Sequence, residues 1–289
     1  VTPSDWYYAA RNSRIGGIAV VDVFSSSSDQ PAFVFSSNLA GGAVKSVAEA
    51  ASHEAGHTLG LRHDGKSGVS EYYSGHGDWA PIMGVGYSES ITQWSRGEYS
   101  GATNTEDDLA LIQQHVPIAP DDHHAASETA IAHASTVEGN LAVGDVDAFT
   151  VTVGAGTLTV TLAPTGGNLH GRARIWDSSG TLVATASPAT ATNWSATTSF
   201  TAAADTYHIE VDPTGWLTAD TGFTSYASLG GYRLTVAGAT PTGTSSTTTT
   251  TTVPPATTTV PTTTTTTVPP ATTVPPATTV PPATTVPPA

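Results

Sequence analysis

Three histidines and one glutamate stand at a spacing that can hold a metal ion and a water beside it. The segment His53-Glu54-Ala55-Gly56-His57 puts two imidazoles four residues apart, and His63 follows six residues later. On a helix, positions i and i+4 share one face, so both rings can reach one ion. Glu54, next to the first ligand, can hold a water bound to that ion. A ligand six residues after His57 has to leave the helix, and Gly60 permits the left-handed turn that swings His63 back. Three neutral imidazoles suit zinc and leave a fourth position open. A chance HExxH in a chain with these His and Glu frequencies has a probability of about one in a hundred. Requiring Gly60 and His63 as well lowers it to about three in a hundred thousand, so solvated histidines on a polar helix face are the weaker reading.

The elements that must position these residues are legible on both sides. Val44, Val47, Ala48, Ala51, Ala55 and Leu59 recur at helical spacing, which predicts a helix over 43–59 ending at Gly60. Before it, the β-branched run from Ile15 to Phe24 predicts a strand, and Ala32–Phe35 a second, short one. A loop-rich stretch covers 62–103. Asn104 to Asp108 then supplies cap residues and acids for a helix running to about His115.

The second half changes character. Residues 149–153, 158–162, 207–211 and 232–236 alternate apolar and polar, and Asp177-Ser-Ser-Gly180 is a turn between two further runs. Short alternating strands with turns between them predict a β-sandwich or barrel. From Pro241 onward there is no charged and no aromatic residue, only a repeat of the type Ala-Thr-Thr-Val-Pro-Pro. Such a segment buries too little apolar surface to order itself and reads as a partly polyproline-II spacer. The expected division is therefore 1–117, a linker at 118–135, the β-sandwich at 136–239 and a disordered tail at 240–289.

Composition excludes several roles. The 289-residue chain has 9 Lys+Arg against 24 Asp+Glu, a net charge of −15. That opposes general nucleic-acid binding and a polybasic membrane anchor. No apolar run approaches the ~20 residues of a membrane-crossing helix. The absence of cysteine removes disulfides, thiolate metal sites and Cys nucleophiles.

HEAGHTLGLRHD, residues 53–64, resembles the extended zinc signature of the metzincin metalloendopeptidases, and Asp64 resembles the reprolysin-like branch. Ala80-Pro-Ile-Met-Gly84, with the only methionine of the chain, Met83, resembles the methionine turn of that family. An ordinary core methionine is the alternative. The resemblance implies an α+β peptidase domain in which His53, His57 and His63 bind Zn²⁺ and peptide or protein substrates are hydrolysed by metal-activated water. Glu54 is then the general base, and Gly60 and Asp64 are structural. Asp64 as a further ligand is the lesser alternative. Tyr87, four residues after Met83, is either an oxyanion donor or a packing residue. Ala32–Phe35 is either an inner strand or the edge that pairs with substrate. The family places a sheet and a long helix before the zinc helix. The chain begins Val-Thr-Pro-Ser with about 40 residues ahead of it, so the domain is expected to be incomplete at its amino terminus.

Residues 128–238 resemble the bacterial pre-peptidase C-terminal domain through Gly144–Val151, Asp177–Gly180, Asp205–Tyr207 and Tyr226–Tyr232. This implies a secreted or cell-surface protein, with the tail as a wall-spanning stalk. A non-catalytic surface adhesin with a vestigial peptidase segment is the alternative, which a retained Glu54 opposes. A zincin with Glu71 as downstream ligand is weaker, because Glu71 lies in a Gly/Ser loop. His76 reads as a solvated loop residue. His123 and His124 read as linker residues that bind metal only adventitiously. Asp145 and Asp147 read as turn caps, or as Ca²⁺ ligands.

Overall fold

The computed structural model describes residues 1–241. Apart from its first residues, the tail expected at 240–289 lies outside the described residues. The fold is mixed α+β, with many strands and few helices.

The chain opens with the helix α1, Trp6–Arg11, whose first turn is capped by the Asp5 side chain accepting from the Tyr8 N–H. Strand β1, Gly17–Ile18, pairs antiparallel with β2, Phe33–Val34. Only these two residues of the expected 15–24 strand are a strand. The reason lies at the end of the next helix. The backbone N–H groups of Asp22, Val23 and Phe24 donate to the carbonyls of His57 and Thr58 at 2.8–3.0 Å. A helix leaves its last carbonyls without internal partners, and the β-branched run caps them instead of extending a sheet.

That helix, α2, runs Val44–Thr58, within one residue of its expected ends. Val47, Ala50 and Ala51 pack on Val34 and Leu39. Gly60 has φ +98°, its N–H donates to His57 O, and Leu61 N–H reaches back to Gly56 O. These paired bonds form a Schellman stop, which turns the chain sharply and buries Leu61. Strands β3, Trp79–Pro81, and β4, Ile91–Gln93, follow as a parallel pair. Helix α3, Asp108–Gln113, starts at Asp107, whose side chain accepts from the Ala110 N–H.

The remaining strands are β5 (Thr129–Ala130), β6 (Thr136–Leu141), β7 (Asp147–Val153), β8 (Gly156–Pro164), β9 (Gly171–Trp176), β10 (Leu182–Ala186), β11 (Ala196–Ala202), β12 (Asp205–Pro213) and β13 (Gly230–Gly238). They form a five-stranded sheet, β10-β9-β12-β7-β5, and a four-stranded sheet, β11-β8-β13-β6. The inward residues of the alternating runs, among them Phe149, Val160, Leu162, Ile175, Ile209 and Leu234, share one buried core. β5 falls inside the expected linker and adds to this sheet in parallel with β7.

Loops of the sandwich also enter a core of the first segment. Tyr73, Trp79, Ile91 and Tyr99 are buried together with Ala191 and Phe223. Polar contacts flank them: Gln93 Nε2 donates to Ala227 O at 3.1 Å, and Tyr226 Oη donates to Asp107 at 2.6 Å. Among the described residues no helix is long and apolar enough to cross a membrane.

Candidate metal centre

His53 and His57 lie one turn apart on α2, and the Schellman stop brings His63 to meet them. One nitrogen of each ring lies within 4.8 Å of the other two. The outer nitrogens are held by the fold. His53 Nδ1–H donates to Ile82 O at 2.9 Å, and His57 Nδ1–H donates to Leu61 O at 2.8 Å. A carbonyl can only accept, so the proton sits on Nδ1 and the lone pair on Nε2 faces inward. Glu71 Oε1 lies 3.3 Å from His63 Nδ1 and orients the third ring. Burial, then the neighbouring His57, lowers the His53 pKa to about 4, and burial also lowers that of His57, which favours the neutral form a metal would need.

His57 Nε2 and His63 Nε2 are 3.1 Å apart. Facing lone pairs at that distance repel unless a positive group lies between them. Two ligands of a tetrahedral zinc with bonds of 2.0–2.1 Å would stand about 3.3 Å apart. The donor set therefore fits zinc.

Glu54 is 7% exposed, and its Oε2 has no hydrogen-bond partner among the described residues. Burial pushes its carboxyl up to about 7. The side chain lies against Gly17 of β1, where a Cβ would stand 2.5 Å from Oε1. β2 pairs with β1 in a two-stranded sheet, and on its other side the single residue Thr2 bridges it, with Thr2 N–H donating to Val34 O at 2.9 Å. The strand next to Glu54 is β1.

Beneath α2, Met83 is fully buried. A Cβ on Gly56 would come within 2.5 Å of its sulfur, so the helix is bare at the point where Met83 packs. The turn holding Met83 closes with Gly84 N–H on Pro81 O at 3.1 Å, and Asp64 N–H donates to Met83 O at 2.9 Å. Asp64 is thus bound to this turn through its backbone. Its carboxyl is buried and pushed up to about 7 by burial, then by Glu106 and Glu98. It is not in the cluster of three histidines.

Gln93 connects this wall to the sandwich. Its backbone O accepts from Ile82 N–H at 2.8 Å, its side chain accepts from Trp79 Nε1–H at 3.0 Å, and it donates to Ala227 O. Ile82 is the residue whose carbonyl holds His53.

Tyr87 stands against Gly16, and its ring pairs with none of the three imidazoles. His76 is not a solvated loop residue: Nε2–H donates to Gly222 O at 2.9 Å and Nδ1 accepts from Tyr73 Oη at 2.9 Å. His123 is bonded to Thr129 and Glu138, and His124 to Asp121. Asp145 caps its turn by accepting from Ala142 N–H at 3.2 Å. Asp147 is buried, accepts from Tyr232 Oη, and groups with Asp121 and Asp122. Tyr72 is the residue that sequence reasoning missed. Its ring centroid lies 4.2 Å from that of His63 and 6.3 Å from that of His53. No spacing rule marks a loop tyrosine that arrives through space.

Among solved structures, the pre-peptidase C-terminal domain of a collagenase from Bacillus anthracis is 18% identical and covers 41% of this chain and 98% of its own, with a TM-score of 0.30. PliG, a periplasmic inhibitor of g-type lysozyme from Aeromonas hydrophila, is 15% identical over 38% of this chain and 96% of its own, with a TM-score of 0.26. A CBM35 from Cellvibrio japonicus Abf62 is 17% identical over 42% and 84%, with a TM-score of 0.24. No curated protein matches the chain. Residues 6–64, which contain His53, Glu54, His57 and His63, match the family described as metallo-peptidase family M12B, reprolysin-like.

Proposed function

We propose that this chain is a zinc-dependent endopeptidase acting outside the cell or at its surface, with protein or peptide substrates. The observation that carries the reading is a buried carboxylate, Glu54, with an unpartnered oxygen, on the helix that also presents two of three converging imidazole nitrogens. His53, His57 and His63 would hold the zinc, which when bound polarises the scissile carbonyl and makes water a better nucleophile. Glu54 takes the proton from the attacking water. As the carbon–oxygen bond forms and the carbon–nitrogen bond breaks, it passes that proton to the leaving amine. The free edge of β1 is the place for an extended substrate to pair, because Gly17 brings that strand against Glu54. Met83, with the turn around it, serves as the methionine turn that supports α2 from below.

Calcium belongs to the sandwich in this reading. Asp147 has one buried oxygen without a partner, and its carboxyl groups with those of Asp121 and Asp122. Oxygen-rich acidic sites of this kind suit Ca²⁺.

The test is metal stoichiometry together with cleavage. The purified chain should bind one zinc and cut a peptide mixture. Glu54→Ala should keep the zinc and lose the cutting. His63→Ala should lose both. A wild-type protein that binds its zinc and cuts nothing, while still binding a surface partner, would favour the adhesin.

A further inference from the structure

We infer that Tyr72 is a catalytic residue of this site: its phenol is the donor that meets the negative charge developing on the substrate carbonyl oxygen. The inference rests on the peptidase reading and adds the group which that reading lacks. A base alone leaves the oxyanion unassisted, and a donor aimed at that charge is often the largest single contribution to such a reaction.

The placement of the ring carries the argument. Tyr72 tilts over His63 with centroids 4.2 Å apart and stacks on His53 with an interplanar angle of 21° at 6.3 Å. It therefore covers the side of the three-nitrogen face that His63 forms. Glu54 lies against Gly17 of β1. The phenol thus reaches the three imidazoles from the loop over His63 and the carboxyl reaches them from α2, so one group can remove a proton and the other can meet the charge on the same carbonyl. The loop is ordered by bonds that leave the phenol free: Tyr72 N–H donates to Ser70 Oγ at 3.1 Å, and Glu71 holds His63 from behind. The hydroxyl has no hydrogen-bond partner among the described residues, and the residue is 42% exposed, so a substrate can reach it.

Tyr87, the phenol nearest Met83 in sequence, is worse placed. Its hydroxyl points at Gly16, next to the strand that Glu54 lies against. Lys45 Nζ donates to the carbonyl oxygens of Gly86 and Tyr87 at 3.0 and 3.4 Å, which holds that segment to α2.

The experiment uses the full chain loaded with zinc. Tyr72→Phe keeps the ring and its stacking and removes only the hydroxyl. The expected result is a fall in kcat of about 100-fold, within the range for loss of one oxyanion donor. KM and zinc affinity should stay unchanged. Binding of a phosphinic peptide, whose tetrahedral anion copies the charge in question, should weaken by a similar factor in calorimetry. Tyr87→Phe should lose less than Tyr72→Phe in both measurements. The inference is overturned if Tyr72→Phe stays within threefold of wild type in kcat and phosphinate binding, or if the order of the two variants is reversed. It is overturned as well if the hydroxyl's removal releases zinc, because its role is then at the metal. A wild-type chain that binds no zinc and cuts no peptide removes the peptidase reading itself, a result distinct from the other three.

Discussion

Gly17→Ala separates chemistry from folding. A Cβ at residue 17 would lie 2.5 Å from Glu54 Oε1, 2.6 Å from Cγ and 2.8 Å from Cδ. Ordinary contacts are about 3.5–4.0 Å, so the carboxyl must retreat by roughly 1 Å. The obstacle is a side chain, so it gives way before the strand does. Gly17 has no positive φ, and alanine is free of backbone strain there. Replacing glycine at such a position stabilises by about 0.4–1 kcal/mol through the unfolded chain, which offsets part of the cost of moving Glu54. None of the three imidazoles meets the new methyl within its three nearest contacts. A misplacement of about 1 Å costs a reaction about 100-fold, or roughly 2.7 kcal/mol of barrier. The expected outcome is a fall in kcat/KM of about 100-fold, with the melting temperature within a few degrees of wild type and zinc affinity unchanged. The assay is initial rate on one cleaved peptide at full zinc occupancy, with chelator competition and thermal unfolding alongside. A variant that cuts within threefold of wild type would refute the placement of Glu54 against β1. One that loses zinc would refute the separation of base from ligands.

Three further outcomes follow from buried polar groups. Gln93→Leu leaves the Trp79 indole N–H and the Ala227 carbonyl without partners in the core. At about 1–3 kcal/mol for each buried group left unsatisfied, urea unfolding should show a loss of roughly 2–6 kcal/mol. Asp108 is buried, with one oxygen accepting from Ser95 N–H and the other unpartnered, and burial, then Asp64, pushes its carboxyl up to about 8. The folded state therefore keeps a proton that the unfolded chain releases near 3.8. The contribution of Asp108 to stability should fall as pH rises from about 4 to about 8 and flatten above, as do those of Glu54 and Asp64 over a narrower range, and Asp108→Asn should make the profile shallower by its own share in denaturant titrations at several pH values. Added Ca²⁺ should raise the melting temperature of the wild-type chain but not of Asp147→Asn, and an equal rise in both would move the calcium site elsewhere.

The sequence spoke clearly where local rules decide. The 3.6-residue period of residues 44–59, Gly60 at the position that needs φ +98°, and the alternation of 149–153 or 232–236 each follow from short-range geometry. It misled where a distant partner decides. The 15–24 run has the composition of a strand, but Asp22 to Phe24 spend their N–H groups on the end of α2. His76 looks solvated until Gly222, 146 residues away, accepts its proton. Ala32–Phe35 could be an edge or an inner strand by its composition, and the Thr2 bridge that covers part of its outer side comes from a residue more than thirty positions away. The grouping of His53, His57 and His63 was legible because their spacing along the chain, with Gly60 between, is short. Tyr72 and Gln93 were not, because stacking on an imidazole and bracing a turn leave no mark in residue order.

If three imidazoles and Glu54 form a working hydrolytic site, the full chain cuts a mixed peptide library, and wild type and Glu54→Gln compared side by side at equal zinc occupancy, with cut sites read by mass spectrometry, show it. The wild type should make internal cuts that a zinc chelator abolishes, and Glu54→Gln should lose at least a thousandfold with zinc still bound. Cutting that survives in Glu54→Gln, or that continues without zinc, would contradict such a site.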